Sequence, residues 1–381
     1  MIRAIITDGD GVLNFPGTDA DVVSLLGYLN QHGIQHIVVT NKSEASVLRK
    51  FNQAGYQLPN HIISPACFNP RKRKPSPEFI NEVMQRTGFQ NHELIYIGDD
   101  TRTDILCAIN AGILPLGATY SSANTANNLQ YCLELSSISD IQVFLEMFSR
   151  MDSPYFGWEC LSGAIDVRCA LSEHRAIRYE LEDLLKRGND RQLPSGVNVS
   201  QLVIATLLSQ IYFSGLANDA DYITLYPGHT LGSLNPFLNQ FLQNYSRILK
   251  IRFEQLIIRH VNARSSRRTN DRTLENQINS IHLDPTKQKY IQGNHIIVLD
   301  DFTTSGTSLE AAKLLLQQGG ARRVTLMAFG KFRPSHVVYT LINPIDPYQP
   351  VTITDSDYLM SEHYSTNDTD LYFRNHIRPY F

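Results

Sequence analysis

The feature of this 381-residue chain that most restricts its fold is a rhythm. Short runs rich in Ile, Val and Leu break off in small, hydroxylated or acidic residues, and between them lie longer stretches with apolar positions at helical spacing. In the first 150 residues the strand-like runs fall at Arg3 to Thr7, Gln35 to Thr40, His61 to Ser64 and Leu94 to Gly98, with helical patterns at Asp19 to His32, Ser43 to Gln53 and Ser76 to Thr87. Near-continuous apolar strands alternating with amphipathic helices describe a parallel sheet covered on its faces, with a ligand site at the carboxyl ends of the strands.

The rhythm continues with a strand expected at Ile113 to Tyr120, a loop over Ser121 to Ser137 and a closing helix at Ser139 to Ser149. Pro and Gly then interrupt the chain near Met151 to Gly157. Beyond the break, helices are expected at Cys169 to Arg187 and Val199 to Ser214. Strands follow at Asp221 to Tyr226, Gln255 to Arg259, His295 to Leu299 and Arg323 to Phe329, with helices at Leu234 to Ser246 and Ser308 to Gln318. The last fifty residues, with Pro334, Pro344, Pro347 and Pro350 and many tyrosines, read as irregular. A chain of this length exceeds one typical core. The expected fold class is therefore α/β, with two Rossmann-like parallel-sheet domains over residues 1–150 and 151–381.

Charge narrows the partners. The net charge is -3, and the first 150 residues carry 11 basic against 14 acidic residues, the remainder 23 of each. Neither part has the basic excess of a general nucleic-acid binder, so nucleic acid is a disfavoured partner. No apolar run approaches membrane-spanning length, and the amino terminus turns polar by Thr7, without the apolar core of a signal peptide. The five cysteines, odd in number and without a C-x-x-C pair, read as free thiols of a cytoplasmic protein.

The amino-terminal strand Ile5-Ile-Thr7 delivers Asp8-Gly-Asp10-Gly11, and the glycines let the backbone turn so that both carboxylates can face one ligand. Such a pair can bind a cation or divide nucleophile and acid roles, but D-G-D-G is also common turn composition. The later strand ends decide between these readings. Ile37-Val-Val-Thr40 ends in a hydroxyl followed by Asn41, Lys74 precedes a helix start, and Gly98-Asp99-Asp100-Thr-Arg-Thr-Asp104 supplies further acids.

Taken in order, these four segments resemble the motifs of the haloacid dehalogenase-like (HAD) phosphatases over nearly all of residues 1–150. The resemblance implies Asp8 as the nucleophile and Asp10 as the acid and base. It implies Thr40 and Lys74 as partners of the phosphoryl oxygens, with Asn41 beside them, and a Mg2+ site drawing on Asp8, Asp10, Asp99 and Asp104, with Asp100 as a further candidate. Only about thirty residues separate Asp10 from Thr40, and about as many separate Thr40 from Lys74. That leaves no room for the cap domain many members carry, and an open site suits a large substrate or one enclosed by another domain.

In the second part, Ile296-Ile-Val-Leu-Asp-Asp-Phe-Thr-Thr-Ser-Gly-Thr-Ser308 sets two acids at the end of an apolar run. Backbone N–H groups and hydroxyls of Thr303, Thr304, Ser305, Gly306, Thr307 and Ser308, at a helix start, suit a phosphate monoester, while Asp300 and Asp301 can accept from ribose hydroxyls. This stretch resembles the signature of the type I phosphoribosyltransferases (PRTases). The resemblance implies phosphoribosyl pyrophosphate (PRPP) and Mg2+ as ligands, and an unknown base or other acceptor. Pro227 to Thr230 falls where that family has a pyrophosphate loop. The basic run with Arg264, Arg267 and Arg268 falls where it has a mobile loop over pyrophosphate. Three readings stay open: a bifunctional enzyme of nucleotide or nucleoside metabolism, a polynucleotide-end phosphatase with a ribose-phosphate-binding domain, and a phosphatase regulated by a non-catalytic PRPP sensor.

Overall fold

The computed structural model describes residues 2–15, 17–148, 155–172, 178–194, 196–263 and 273–368. The chain divides into two compact units, Met1–Asp152 with the short pieces Ile211–Gly215 and Arg247–Lys250, and the remainder.

In the first unit, β1 (Ala4–Asp8), β2 (Gln35–Val39), β3 (His61–Ile63), β4 (Leu94–Gly98), β5 (Leu114–Ala118) and β6 (Leu133–Leu135) form one parallel sheet in the order β3-β2-β1-β4-β5-β6. Ile5 and Ile6 are fully buried because β1 lies in the middle of the sheet. Asp8 pairs with Val39 and Thr7 with Ile97, so β1, β2 and β4 end level with one another. The residues just beyond those ends therefore share one edge of the sheet. Each crossover among the described residues is compact: helix Ala20–Gln31 between β1 and β2, helix Glu44–Ala54 between β2 and β3, and helix Glu78–Thr87 before β4. The caps follow from sequence. Asp19 and Ser43 accept from first-turn N–H groups, and Gly55 ends the second helix at φ 70.

The second unit is built on β7 (Trp158–Ser162), β8 (Ile165–Ser172), β9 (Tyr222–Leu225), β10 (Arg252–Phe253), β11 (Ile257–Arg259), β12 (Ile281–Leu283), β13 (His295–Thr303), β14 (Arg323–Lys331), β15 (Ser335–Leu341), β16 (Tyr358–Tyr364) and β17 (Asn367–Asp368). Its main sheet runs β10-β9-β13-β14-β8-β7-β17. The five strands from β10 to β8 are parallel, and β7 and β17 are antiparallel additions at one edge. β11–β12 and β15–β16 are separate antiparallel hairpins. The floor of the sheet is β13, whose Ile296, Ile297, Val298 and Leu299 are fully buried.

Three expectations are corrected. Cys169 to Ser172, expected as the start of a helix running to Arg187, is the end of β8, and among the described residues the helix covers Arg178–Arg187. Val167, Ala170 and Leu171 fit a helical period and Val167, Cys169 and Leu171 a strand; pairing with β14 on one side and β7 on the other selects the strand. The expected loop Ser121 to Ser137 includes β6. Residues 335–368, expected to be irregular, carry the β15–β16 hairpin and β17, while Pro344, Pro347 and Pro350 fall in the connection between β15 and β16. Among the described residues no helix is long and apolar enough to cross a membrane.

Because Ile297 is fully enclosed between β9 and β14, Ile297→Ala should destabilise its unit by about 2–5 kcal/mol, the range for such a truncation in a packed core. Urea unfolding followed by circular dichroism measures it.

Candidate active sites

At the carboxyl edge of the first sheet, one ligand oxygen each from Asp8, Asp99 and Asp104 lies within 4.8 Å of the others. The Lys74 ammonium sits among them, donating to Asp8 Oδ1 and to Asp104 Oδ1 at 2.5 Å, and it also reaches the Tyr96 hydroxyl at 3.3 Å. Lys74 and Asp104 are almost completely buried. Burial alone would lower the pKa of Lys74, but Asp104 and Asp8 outweigh it and the ammonium is held charged above its usual range. Asp104 goes the other way: burial pushes it up to about 6, against the pull of Lys74. Asp99 is also raised, by burial first, although the Ser121 hydroxyl donates to it at 2.6 Å. Three carboxylates share one cation, so the fully ionised group holds two uncompensated negative charges. A hard divalent cation with oxygen ligands matches that excess.

The backbone is shaped to this crowding. Gly11 adopts φ +79, and a Cβ there would stand 1.7 Å from Asp99 Oδ2. A Cβ on Gly98 would stand 2.2 Å from the Asp104 Cβ. Asp104 lies in a π-helical turn, Thr101–Ile105, whose start is capped by Asp100; the Asp100 carboxylate accepts from the Arg102 and Thr103 N–H groups. Thr40 is buried beside Gly9 and accepts from the Lys42 N–H, and Asn41 accepts from the Lys74 N–H at 2.9 Å. Asp10 is outside the three-carboxylate group. Its side chain turns to two ammonium groups, Lys42 at 2.5 Å and Lys50. Tyr96 and Ser121 were not anticipated, the first hidden in an apolar strand and the second in a Ser- and Asn-rich loop.

In the second unit, β13 continues through the acids, with Asp300 paired to Ala328 and Thr303 to Lys331. The acids are thus half-buried residues near the end of an otherwise buried strand. Asp300 is pushed well above the carboxylate range by burial, then by the adjoining Asp301. Asp301 accepts from the Phe302 N–H and, at 3.5 Å, from the Asn235 amide. Gly306 then turns at φ 90 into helix Thr307–Gln318, with the Ser305 and Thr307 hydroxyls 2.9 Å apart and Ser308 3.5 Å from Gln277. The tight turn Pro227 to Thr230 is braced by the buried Arg259, which donates to the Gly228 carbonyl and to Ser280 Oγ at 2.5 Å. Arg264, Arg267 and Arg268 lie outside the described residues.

The family model for a haloacid dehalogenase-like hydrolase matches residues 18–118, and that for a phosphoribosyl transferase domain matches residues 240–334. The chain carries a HAD-like hydrolase domain and a PRTase domain. The first match takes in Thr40, Lys74, Asp99 and Asp104 and begins after Asp8 and Asp10; the second takes in Asp300 to Ser308. Among solved structures, the core domain of a provisionally assigned phosphoglycolate phosphatase from Streptococcus pneumoniae TIGR4 is 25% identical, covering 38% of this chain and 96% of that one at a TM-score of 0.30. A HAD phosphatase from Thermococcus onnurineus is 19% identical, covering 33% and 57% at a TM-score of 0.29. A HAD-superfamily hydrolase from Ehrlichia chaffeensis is 24% identical, covering 34% and 61% at a TM-score of 0.27. This chain therefore spans less than two thirds of the latter two proteins. No curated protein matches it.

Removing the shared cation with Lys74→Met should destabilise the hydrolase domain by about 3–5 kcal/mol at pH 8, the usual cost of leaving a buried charge without its partner. Asp104 takes up a proton as pH falls through about 6, so the deficit should shrink at pH 5. Urea denaturation at the two pH values checks both the size and the sign.

Proposed function

We propose that residues 1–150 form a Mg2+-dependent phosphomonoesterase working through an aspartyl phosphate. Residues 151–381 then form a PRPP-binding phosphoribosyltransferase, and the bifunctional enzyme serves nucleotide or nucleoside metabolism in the cytoplasm. The observation that carries this reading is the gathering of Asp8, Asp99 and Asp104 around Lys74 at one strand edge, beside Thr40. A carboxylate nucleophile needs the negative charge of an incoming phosphoryl group offset, and this edge offers fixed cationic and hydroxyl donors for that.

In the first half-reaction the Asp8 carboxylate oxygen bonds to phosphorus, the ester oxygen leaves as an alcohol, and Asp10 supplies its proton. In the second, water attacks the phosphorus of the acyl phosphate, Asp10 takes the proton back, and orthophosphate departs. Lys74 and the Thr40 hydroxyl hold the phosphoryl oxygens. Mg2+, held by Asp8, Asp99 and Asp104, would supply the remaining charge neutralisation.

In the transferase domain, Asp300 and Asp301 accept from the ribose hydroxyls, and residues 303–308 hold the 5-phosphate. Arg264, Arg267 and Arg268 neutralise the departing pyrophosphate. The acceptor, a base or another nucleophile, takes its place at the anomeric carbon. A transferase product carries a 5-phosphate, itself a phosphomonoester, and this connects the two activities in one chain.

Asp8→Asn should abolish hydrolysis of a generic phosphomonoester while PRPP affinity is retained, since a carboxamide forms no acyl phosphate. Release of orthophosphate from p-nitrophenyl phosphate is the measurement, and activity within about tenfold of wild type would remove Asp8 from its role. The double change Asp300→Asn, Asp301→Asn should weaken PRPP binding about tenfold or more and leave phosphomonoester hydrolysis intact, read by calorimetry and the same phosphate assay.

A further inference from the structure

Beneath the phosphate loop of the second unit lies a set of buried ionisable side chains with no part in the proposed catalysis. Glu310 and His336 are fully buried, and Lys331 and Lys313 nearly so. Glu310 meets His336 Nε2 at 2.9 Å and the Lys313 ammonium at 2.5 Å. The His336 ring lies directly under Gly306, where an added Cβ would come within 2.1 Å of its Cε1. Lys331, the last residue of β14, donates to the Thr304 carbonyl and, at 2.7 Å, to the Ser335 carbonyl, with its ammonium 4.8 Å from the ring centre of Trp158. The Val337 N–H donates to the Ser305 carbonyl at 2.8 Å.

Two consecutive loop carbonyls, Thr304 and Ser305, are thus both tied down by the segment Lys331 to Val337. In a trans peptide the carbonyl of one residue and the N–H of the next point in opposite directions. Neither the Thr304–Ser305 nor the Ser305–Gly306 bond is cis. Fixing those carbonyls therefore turns the Ser305 and Gly306 N–H groups the other way, and among the described residues no acceptor meets them. Successive N–H groups turned to one side form an anion-binding nest.

We propose that Lys331 is a positioning residue for the phosphate loop: by holding the Thr304 carbonyl it aims the Ser305 N–H at the 5-phosphate of a phosphoribosyl ligand. This rests on the transferase reading of residues 300–308. The buried position suits the task, because an ammonium bonded to the Thr304 carbonyl fixes that peptide plane before any ligand arrives and places a positive charge behind the nest. A lysine chosen only to fill space there would have an apolar alternative at lower desolvation cost.

The test is calorimetry on the full chain with three probes: ribose 5-phosphate, PRPP, and pyrophosphate alone, each with Mg2+. Lys331→Met keeps the stem volume and removes the donor. It should weaken ribose 5-phosphate and PRPP by about tenfold or more and change pyrophosphate by less than about twofold, since only the first two carry the 5-phosphate. Lys331→Gln, which restores one donor, should recover part of the loss, and it replaces the methionine variant in the comparison if that variant does not fold. Wild-type affinity for ribose 5-phosphate in the variant overturns the inference, as does an equal loss for all three probes, which would mark a general structural role. Failure of the unmodified protein to bind either phosphoribosyl probe overturns the transferase reading itself, and the inference with it.

Discussion

Much of this structure depends on one constraint: a strand buried in the middle of a parallel sheet ends abruptly, and whatever polar group follows must be satisfied at that edge. In the hydrolase domain the groups that follow are mostly acids, and Lys74 is the cation that lets them coexist. Its ammonium bonds to Asp8 and Asp104 at once, yet burial still drives Asp104 toward its protonated form. The edge is therefore held short of positive charge. That shortage favours a hard divalent cation, whose charge would in turn offset that of an incoming phosphoryl group.

The transferase domain meets the same constraint differently. Asp300 and Asp301 crowd one another near the end of β13, and the chain then turns at Gly306 so that a helix start lies beside them. Acid pair and anion nest are adjacent because strand, loop and helix are consecutive in sequence. Their supports come from farther along the chain: Lys331 and Val337 lie beyond the helix, Arg259 well before the strand. Local sequence builds the binding groups, and distant sequence aims them.

That division explains which parts of the sites are legible in the sequence. Asp8, Thr40, Lys74, Asp99 and Asp104 were legible because each stands just past a β-branched run or just before a helix start, and level strand registers bring such positions together. Asp10 was legible as an acid, but its pairing with Lys42 and Lys50 was not, since no spacing rule links position 10 to positions 42 and 50. Tyr96 reads as core and is core; only its hydroxyl belongs to the site. β8 was lost because Val167, Cys169, Ala170 and Leu171 satisfy both periods, and its identity is set by β14, more than a hundred residues later. Lys331 and His336 carry no motif, and burial alone marks them.

The central claim is that two phosphate chemistries in one chain act in sequence on a ribosyl 5-phosphate. The direct measurement incubates the protein with PRPP, Mg2+ and a panel of bases, and follows pyrophosphate and orthophosphate together. The account predicts that an acceptor triggers pyrophosphate release and that orthophosphate follows in equal amount as the nucleotide loses its 5-phosphate. Pyrophosphate release with no orthophosphate from the product, alongside rapid hydrolysis of a 3-phosphorylated oligonucleotide, would contradict it.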